Sequence, residues 1–440
     1  MTVTTSDSSA ESAASAKPTS PFDVCDPAFY LDPWERYRWL RENAPVAWDE
    51  KNRIWVVSTF EGVFEVSRDT DTWISGEGIR PVSSVDLSLI GLDGEQHTRQ
   101  RRLINKGFTP RAVGELEQHI RDIADEVIGG LTGRERGDFV PDIAIHVPLI
   151  VIAELMGLPM DDREKFWRWS DDMMGGEGAV DPVADAARME KAAVAFTEYT
   201  TLASELVAQR RAEYAEAKAA ADAKGEPAPA PRADDLISVL VAAHDDGSLS
   251  DHVGEDLASL DDAELLMFLV LLVVAGNETT RNAMSGGMIA FSRNPEQWEL
   301  FKANVDDPEF THRAADEIAR YVSPVLNFVR TATSDTVLLG QPIARGEKVL
   351  LMYQSANRDA TAFDAPDEFR VDREENAHLA FGIGPHFCLG ANLARLEIRV
   401  VFEELARKLP HIRMAAGATP VYTGTNTLVH GVESIPVTYR

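Results

Sequence analysis

Phe381-Gly382-Ile383-Gly384-Pro385-His386-Phe387-Cys388-Leu389-Gly390 runs directly into a helix-forming stretch, Ala391-Asn392-Leu393-Ala394-Arg395-Leu396-Glu397. A cysteine just ahead of a helix faces backbone N–H groups and the positive end of the helix dipole, which favour thiolate over thiol. Gly382 and Gly384 let the backbone turn tightly and approach something flat and large, and Gly390 lets the helix start pack against the same object. A buried free cysteine in a tight turn is the plainer alternative for a cysteine met singly.

Only one other cysteine, Cys25, exists in the 440 residues. Two distant cysteines exclude a disulfide framework and a four-cysteine iron–sulfur cluster. The near-match to a dinucleotide fingerprint, Gly76-Glu77-Gly78, lacks its third glycine, so no fused flavin or nicotinamide domain is expected. Any electrons must then come from another protein. Lys and Arg number 43 against 72 Asp and Glu, a formal charge of −29. Such a surface argues against nucleic acid and anionic membranes as partners. Residues 1–20 are Ser, Thr and Ala with no basic-then-apolar leader, and are expected to be a disordered tail. The apolar run from Leu265 to Ala275 is too short to span a bilayer, so a cytoplasmic protein without membrane contact is expected.

Residues 21–440 read as a single domain, mainly α with small β-sheets. Pro45 to Ser58 is a hairpin by its two apolar runs around a polar turn. Helical periodicity covers Gly114–Leu158 and Arg163–Ala221, with breaks expected at Gly175-Gly176 and Asp181-Pro182. Residues 219–235 form an exposed Ala/Pro-rich internal loop. Helices follow at Asp261–Ser292 and Pro308–Val322, strands at Asn327–Thr333, Thr336–Leu339 and Lys348–Tyr353, and a closing hairpin occupies the last twenty residues. Inside the long apolar helix, Ala275-Gly276-Asn277-Glu278-Thr279-Thr280 is locally unsuited to helix. Glycine costs roughly 0.5–1 kcal/mol relative to alanine and threonine competes for backbone carbonyls. A kink or bulge is expected there, the kind of distortion that marks functional sites. An N-cap box opening a new helix is the bland alternative.

The run Phe-Gly-x-Gly-x-His-x-Cys-x-Gly resembles the haem-ligand loop of the bacterial cytochrome P-450 family of haem-thiolate monooxygenases, whose thiolate is a known favourer of O–O cleavage. The resemblance implies a triangular helical prism with haem b between the long central helix and the cysteine-loop helix. It implies Cys388 as the axial thiolate, with Phe381, Gly382, Gly390 and Ala275 against the cofactor. It makes the Ala275–Thr280 run the oxygen groove: Gly276 leaves room beside the iron, Thr279 hydrogen-bonds oxygen, and Glu278 brings protons from outside. Many relatives carry Asp where Glu278 stands. His97 and Arg101, four apart, resemble the family's propionate clamp, completed by Arg330 and His386, since buried carboxylates need cationic partners. Arg101 is expected to face inward, and Arg99 and Arg102 outward toward an acidic redox partner. Glu317-Ile-Ala-Arg320 matches the family's Glu-x-x-Arg, a structural network that Arg373, rather than Arg370, should complete.

The resemblance also implies a ferredoxin, with a ferredoxin reductase using a nicotinamide cofactor, as electron source. A hydrophobic small molecule is the substrate, held mainly by area. Ile79, Leu265, Phe268, Leu269, Leu272, Val325 and Leu326 should line its pocket, with the 79–92 loop, the 168–200 region and residues 425–428. Gly78-Ile79-Arg80-Pro81 and Ser355-Ala-Asn-Arg-Asp359 look like the actinobacterial branch that oxidises steroid side chains, terpenoids and branched lipids. Two other readings stand beside the dioxygen-dependent one. Peroxide-driven peroxygenases and decarboxylases usually replace the acid–alcohol pair with an arginine, against Glu278 and Thr279 here. A non-enzymatic haem protein would have no use for a proton relay.

Overall fold

The computed structural model describes residues 17–81, 89–158, 163–177, 186–227, 235–245, 261–424, 427–429 and 431–440. Among them, helices build the larger part and four small sheets the remainder. The five-stranded sheet runs Val46–Asp49, Ile54–Val57, Lys348–Met352, Asn327–Ala332, Trp73–Ile74 in spatial order. Its pairs are antiparallel except Ile54–Val57 with Lys348–Met352, where Trp55 lies opposite Val349. Both faces are buried, and the two-residue period of a strand sorts its side chains between two cores. Trp55 and Val57 join Val63, Val349 and Leu351 on one face; Ile54 and Val56 join Tyr37, Leu40 and Leu350 on the other.

The central helix, Asp262–Arg293, begins at a capping box: Asp261 accepts from the Glu264 amide (2.8 Å) and Glu264 from the Asp261 amide (3.0 Å). It packs among the helices His146–Leu155, Arg163–Glu177, Ala186–Asp222, Pro308–Val322 and Ala391–Lys408. By length and composition it could cross a membrane, yet its Phe268, Leu269, Met284 and Phe291 sit in the largest core.

The helix runs through Gly276–Thr280 with no break or bulge. Thr279 Oγ1 bonds Ala275 O at 2.8 Å without displacing the helix ladder. The cost of one glycine is small against the burial of a helix packed on several sides. Likewise Arg163–Glu177 passes through Gly175-Gly176 without a break, while Asp181-Pro182 lies outside the described residues. The 114–158 helical stretch is instead interrupted by a strand, Arg136–Asp138.

Residues 17–20, expected in the tail, are tied to the first strand. The Ser20 amide reaches Trp48 O (2.8 Å), the Trp48 amide Pro18 O (2.7 Å), and Lys17 Nζ lies over the Trp48 ring at 3.7 Å. Residues 1–16 lie outside the described set. In the 219–235 segment the long helix continues to Asp222, residues 228–234 are outside the described set, and Asp235 is buried against Arg210. The closing hairpin is Val421–Tyr422 with Val432–Ser434; the last strand, Pro436–Thr438, joins Arg136–Asp138 and Arg413–Met414 instead.

Candidate active site

Between the central helix and the cysteine loop lies a cavity of about 610 Å³. Ala275, Gly276, Thr279 and Thr280 border it from the helix, and Phe381, Gly382, His386, Cys388 and Gly390 from the loop. The loop's sharp path needs its glycines: Gly382 has φ +66° and Gly384 φ +77°, and a Cβ on Gly384 would lie 2.6 Å from Ser67 O. A Cβ on Gly390 would meet only open space. Gly276 borders the cavity with Ile152 3.3 Å from where its Cβ would be.

Cys388 is exposed to this cavity although protein surrounds the cavity itself, whereas Cys25 is packed in a separate core. Burial pushes the Cys388 thiol up, outweighing the Gly390 N–H, Arg101 and Arg395, which lower it. The Gly390 N–H thus pulls toward thiolate in the direction the helix start implies, and a coordinating cation would add to that pull.

Four basic groups gather on one wall. The His97 and His386 rings are 4.2 Å apart between centroids. Arg101 donates to Phe387 O at 2.5 Å, and buried Arg330 borders the same space. Asp93 is their acid neighbour, 3.7 Å from His386, with its carboxylate engaged by the Ser75 and Gly76 amides (2.9 and 2.7 Å). Burial, then His386 and Arg101, push His97 down to about 4. Burial also lowers His386, against the pull of Asp93. A wall so short of negative charge suits a ligand that brings carboxylates.

Arg99 does not face outward. Its guanidinium pairs with Glu264, which also accepts from Gln100 (2.9 Å), so it ties the Gly94–Asn105 helix to the start of the central helix. Arg102 is exposed as expected.

Thr279 borders the cavity, but Glu278 points away from it. The Glu278 carboxyl is buried, pairs with Arg281, and accepts from Asn282 at 2.8 Å. Arg281 reaches on to Asp171 at 3.4 Å. Glu278 Oε2 is buried with no partner among the described residues, and Glu278 borders a second, 200 Å³ pocket beside Asp171 and Arg188. Burial pushes this carboxyl above its usual range against the pull of Arg281, and Asp171 adds to the rise.

Away from the cavity, Glu317 accepts from Arg320 Nε (2.7 Å) and Nη2 (2.8 Å), and from Arg373 Nε (3.1 Å). Arg370 contributes only its amide (2.9 Å); its side chain is half-exposed beside Asp364 and Asp372. Of the two arginines it is Arg373 whose side chain reaches Glu317.

The family model for cytochrome P-450 matches residues 44–411. The chain belongs to the cytochrome P-450 family. A steroid C26-monooxygenase of Mycolicibacterium smegmatis is 36% identical over 419 residues, covering 95% of this chain and 96% of the relative. One of Rhodococcus jostii is 36% identical over 456 residues, covering 97% and 87%. Among solved structures, a Mycobacterium marinum cytochrome P-450 in complex with pseudoionone matches with TM-score 0.81 at 31% identity, covering 97% of this chain and all of that one. A Bacillus megaterium cytochrome P-450 in complex with testosterone matches with TM-score 0.77 at 30% identity, covering 93% and 100%.

This P-450 is therefore an oxygenase whose cofactor is haem b on a cysteine thiolate, and it takes electrons from redox partners and binds hydrophobic substrates. The residues present fit that cofactor: one cavity-facing cysteine, glycines that keep the loop open, and a wall where four basic groups meet Asp93, leaving an excess of base suited to two propionates.

The substrate end of the cavity differs from the sequence expectation. Phe268, Leu272 and Val325 line it; Ile79, Leu265, Leu269 and Leu326 do not. Leu269 O instead accepts from Tyr199 (2.9 Å), Leu265 sits in the helical core, Leu326 packs behind the sheet, and Ile79 O is bonded by the Val329 amide (2.9 Å). Met267, Leu271, Val274 and Val429 line it without having been named, while Phe196 and Leu428 come from the 168–200 and 425–428 segments named above. Leu89 and Ile90 represent the 79–92 loop; residues 82–88 and 425–426 lie outside the described set.

Proposed function

We propose that this P-450 hydroxylates a steroid-class substrate at an unactivated C–H bond, with a ferredoxin and a nicotinamide-dependent ferredoxin reductase supplying electrons in the cytoplasm. The supporting observation is the cavity itself: apolar along the central helix, closed by Val325, Leu428 and Val429, and ending between Thr279 and Cys388. A site of this size and lining holds its ligand by buried area. The names of the relatives and the testosterone complex of a structural neighbour support the steroid class.

Bound there, the haem supplies dioxygen activation and insertion of one oxygen atom into a C–H bond. Cys388 would hold the iron, and His97, Arg101, Arg330 and His386 the propionates. Phe268, Leu272 and Val325 orient the substrate and keep bulk water out. Thr279 Oγ1 is the proton-bearing atom at the cavity, and the Glu278 carboxyl replenishes it from the side of the smaller pocket. Glu317, Arg320 and Arg373 hold the segment leading into the cysteine loop. Exposed Arg102 offers a contact for an acidic redox partner.

The test is the absorption spectrum of the reduced protein under carbon monoxide, for wild type and Cys388→Ala. A red-shifted Soret band confined to wild type is expected, followed by a substrate-induced spectral shift with cholesterol, a steroid that carries a C26 methyl. A histidine-like band would refute Cys388 as ligand, and turnover of fatty acids but not steroids would refute the substrate class.

A further inference from the structure

Asn282 sits one helical turn beyond Glu278 on the central helix and is fully enclosed. Its Nδ2 donates to both the carbonyl and the Oε1 of Glu278, each at 2.8 Å. Its Oδ1 accepts from the Val432 amide, also at 2.8 Å. Because Val432 N–H can only donate, the amide orientation is fixed by its partners. One rigid plane therefore joins the acid to the closing hairpin. That hairpin carries Leu428 and Val429 into the large cavity, and Val429 borders the small pocket as well. Leu428 O in turn accepts from the Leu326 amide (2.8 Å), which anchors the hairpin at its cavity end, while Ser434 Oγ holds its far end to Asp138.

We propose that Asn282 is a positioning residue that makes proton delivery by Glu278 conditional on substrate seated against Leu428 and Val429. The inference rests on Glu278 being the acid of the relay. With the hairpin seated, Asn282 and Arg281 hold Oε1, and the partnerless Oε2 carries the mobile proton. A hairpin shift of about 0.7 Å would stretch the Val432 bond to the limit of a hydrogen bond and free the amide. No bond other than O–H changes in the step. The charged groups facing the carboxyl are Arg281 on its own helix, Asp171 and Asp172 on the 163–177 helix, Arg188 and Lys191 on the 186–222 helix, and Glu433 on the hairpin.

The test compares wild type, Asn282→Ala, Val432→Pro and Glu278→Gln as haem-loaded proteins. The electron source is a surrogate ferredoxin and reductase with NADH. The probe is cholesterol or pseudoionone, whichever shifts the Soret band. Hydrogen exchange at the Val432 amide is read with and without the probe. The probe should slow that exchange by about fivefold in wild type and leave it unchanged in Asn282→Ala. In Asn282→Ala and Val432→Pro, product per NADH should fall at least about threefold and its pH profile should shift, with probe affinity within about twofold of wild type. A wild-type product ratio in either variant overturns the proposal, as does Val432 exchange indifferent to the probe. A loss of affinity equal to the loss of product would mean packing alone, and also overturns it. If Glu278→Gln keeps the wild-type ratio, the relay reading itself fails. If Glu278→Gln uncouples and Asn282→Ala does not, only the assignment to Asn282 fails.

Discussion

Glu317→Ala tests the most deeply buried charge cluster among the described residues. Glu317 and Arg320 are fully enclosed and Arg373 nearly so. The carboxylate accepts from Arg320 twice, from Arg373, from the Arg370 amide, and from Asn376 at 3.3 Å. Arg320 also donates to the carbonyls of Asn357 (2.7 Å), Pro366 (2.8 Å) and Glu368 (3.0 Å), and those bonds survive the substitution. What decides the outcome is thus two buried guanidinium groups left facing each other without a counter-charge. Breaking a buried pair in this way costs about 3–5 kcal/mol. The Arg370→Ala control removes only an exposed pair with Asp364 and Asp372 and should cost at most about 1 kcal/mol. Urea unfolding of the haem-loaded proteins, followed by tryptophan fluorescence and by loss of the Soret band, measures both. A Glu317→Ala midpoint equivalent to less than about 1 kcal/mol of loss would refute the view that this cluster holds the segment under the cysteine loop.

The remaining predictions concern the loop, the cavity floor and the groove. Gly384→Ala forces a Cβ to 2.6 Å from Ser67 O at φ +77°, a strain of about 1–3 kcal/mol, and should lower haem content per chain; Gly417→Ala, at φ +74° with nothing near, should leave it unchanged. Burial pushes the Glu397 carboxyl up to about 8. The folded state therefore keeps a proton that the unfolded chain releases near its ordinary value, so stability is full below about 4.5 and lost as pH rises through about 8. Glu397→Gln should flatten that fall in urea unfolding measured from pH 5 to 9, and an unchanged slope would refute the assignment. Thr279→Ala should let NADH consumption continue while product falls at least about tenfold, with Thr279→Ser restoring it. Equal loss of consumption and product would mean that the hydroxyl serves structure alone.

The site was legible where chemistry fixes both residue type and spacing. The cysteine loop, the 97/101 pair and Glu317-x-x-Arg320 each repeat over so few residues that their local geometry carries the information. The face of the central helix was not legible, because Leu265 to Ala275 is apolar all round. A pattern without a polar stripe has no phase. The helix's neighbours set the phase: Leu269 falls in the helical core, and Met267, Leu271 and Val274 fall on the cavity. The same limit explains Arg99: a basic helix face reads as solvated, and the cap residue Glu264 that captures it is far away in sequence. Glu278 is the instructive case. Its type and position marked it as the acid, yet its carboxyl turns toward Arg281 and Asn282 rather than toward the cavity. Residue type and position marked the acid; the long-range bond from Val432 to Asn282 links its neighbour to the closing hairpin, and no pattern along the helix carries that bond.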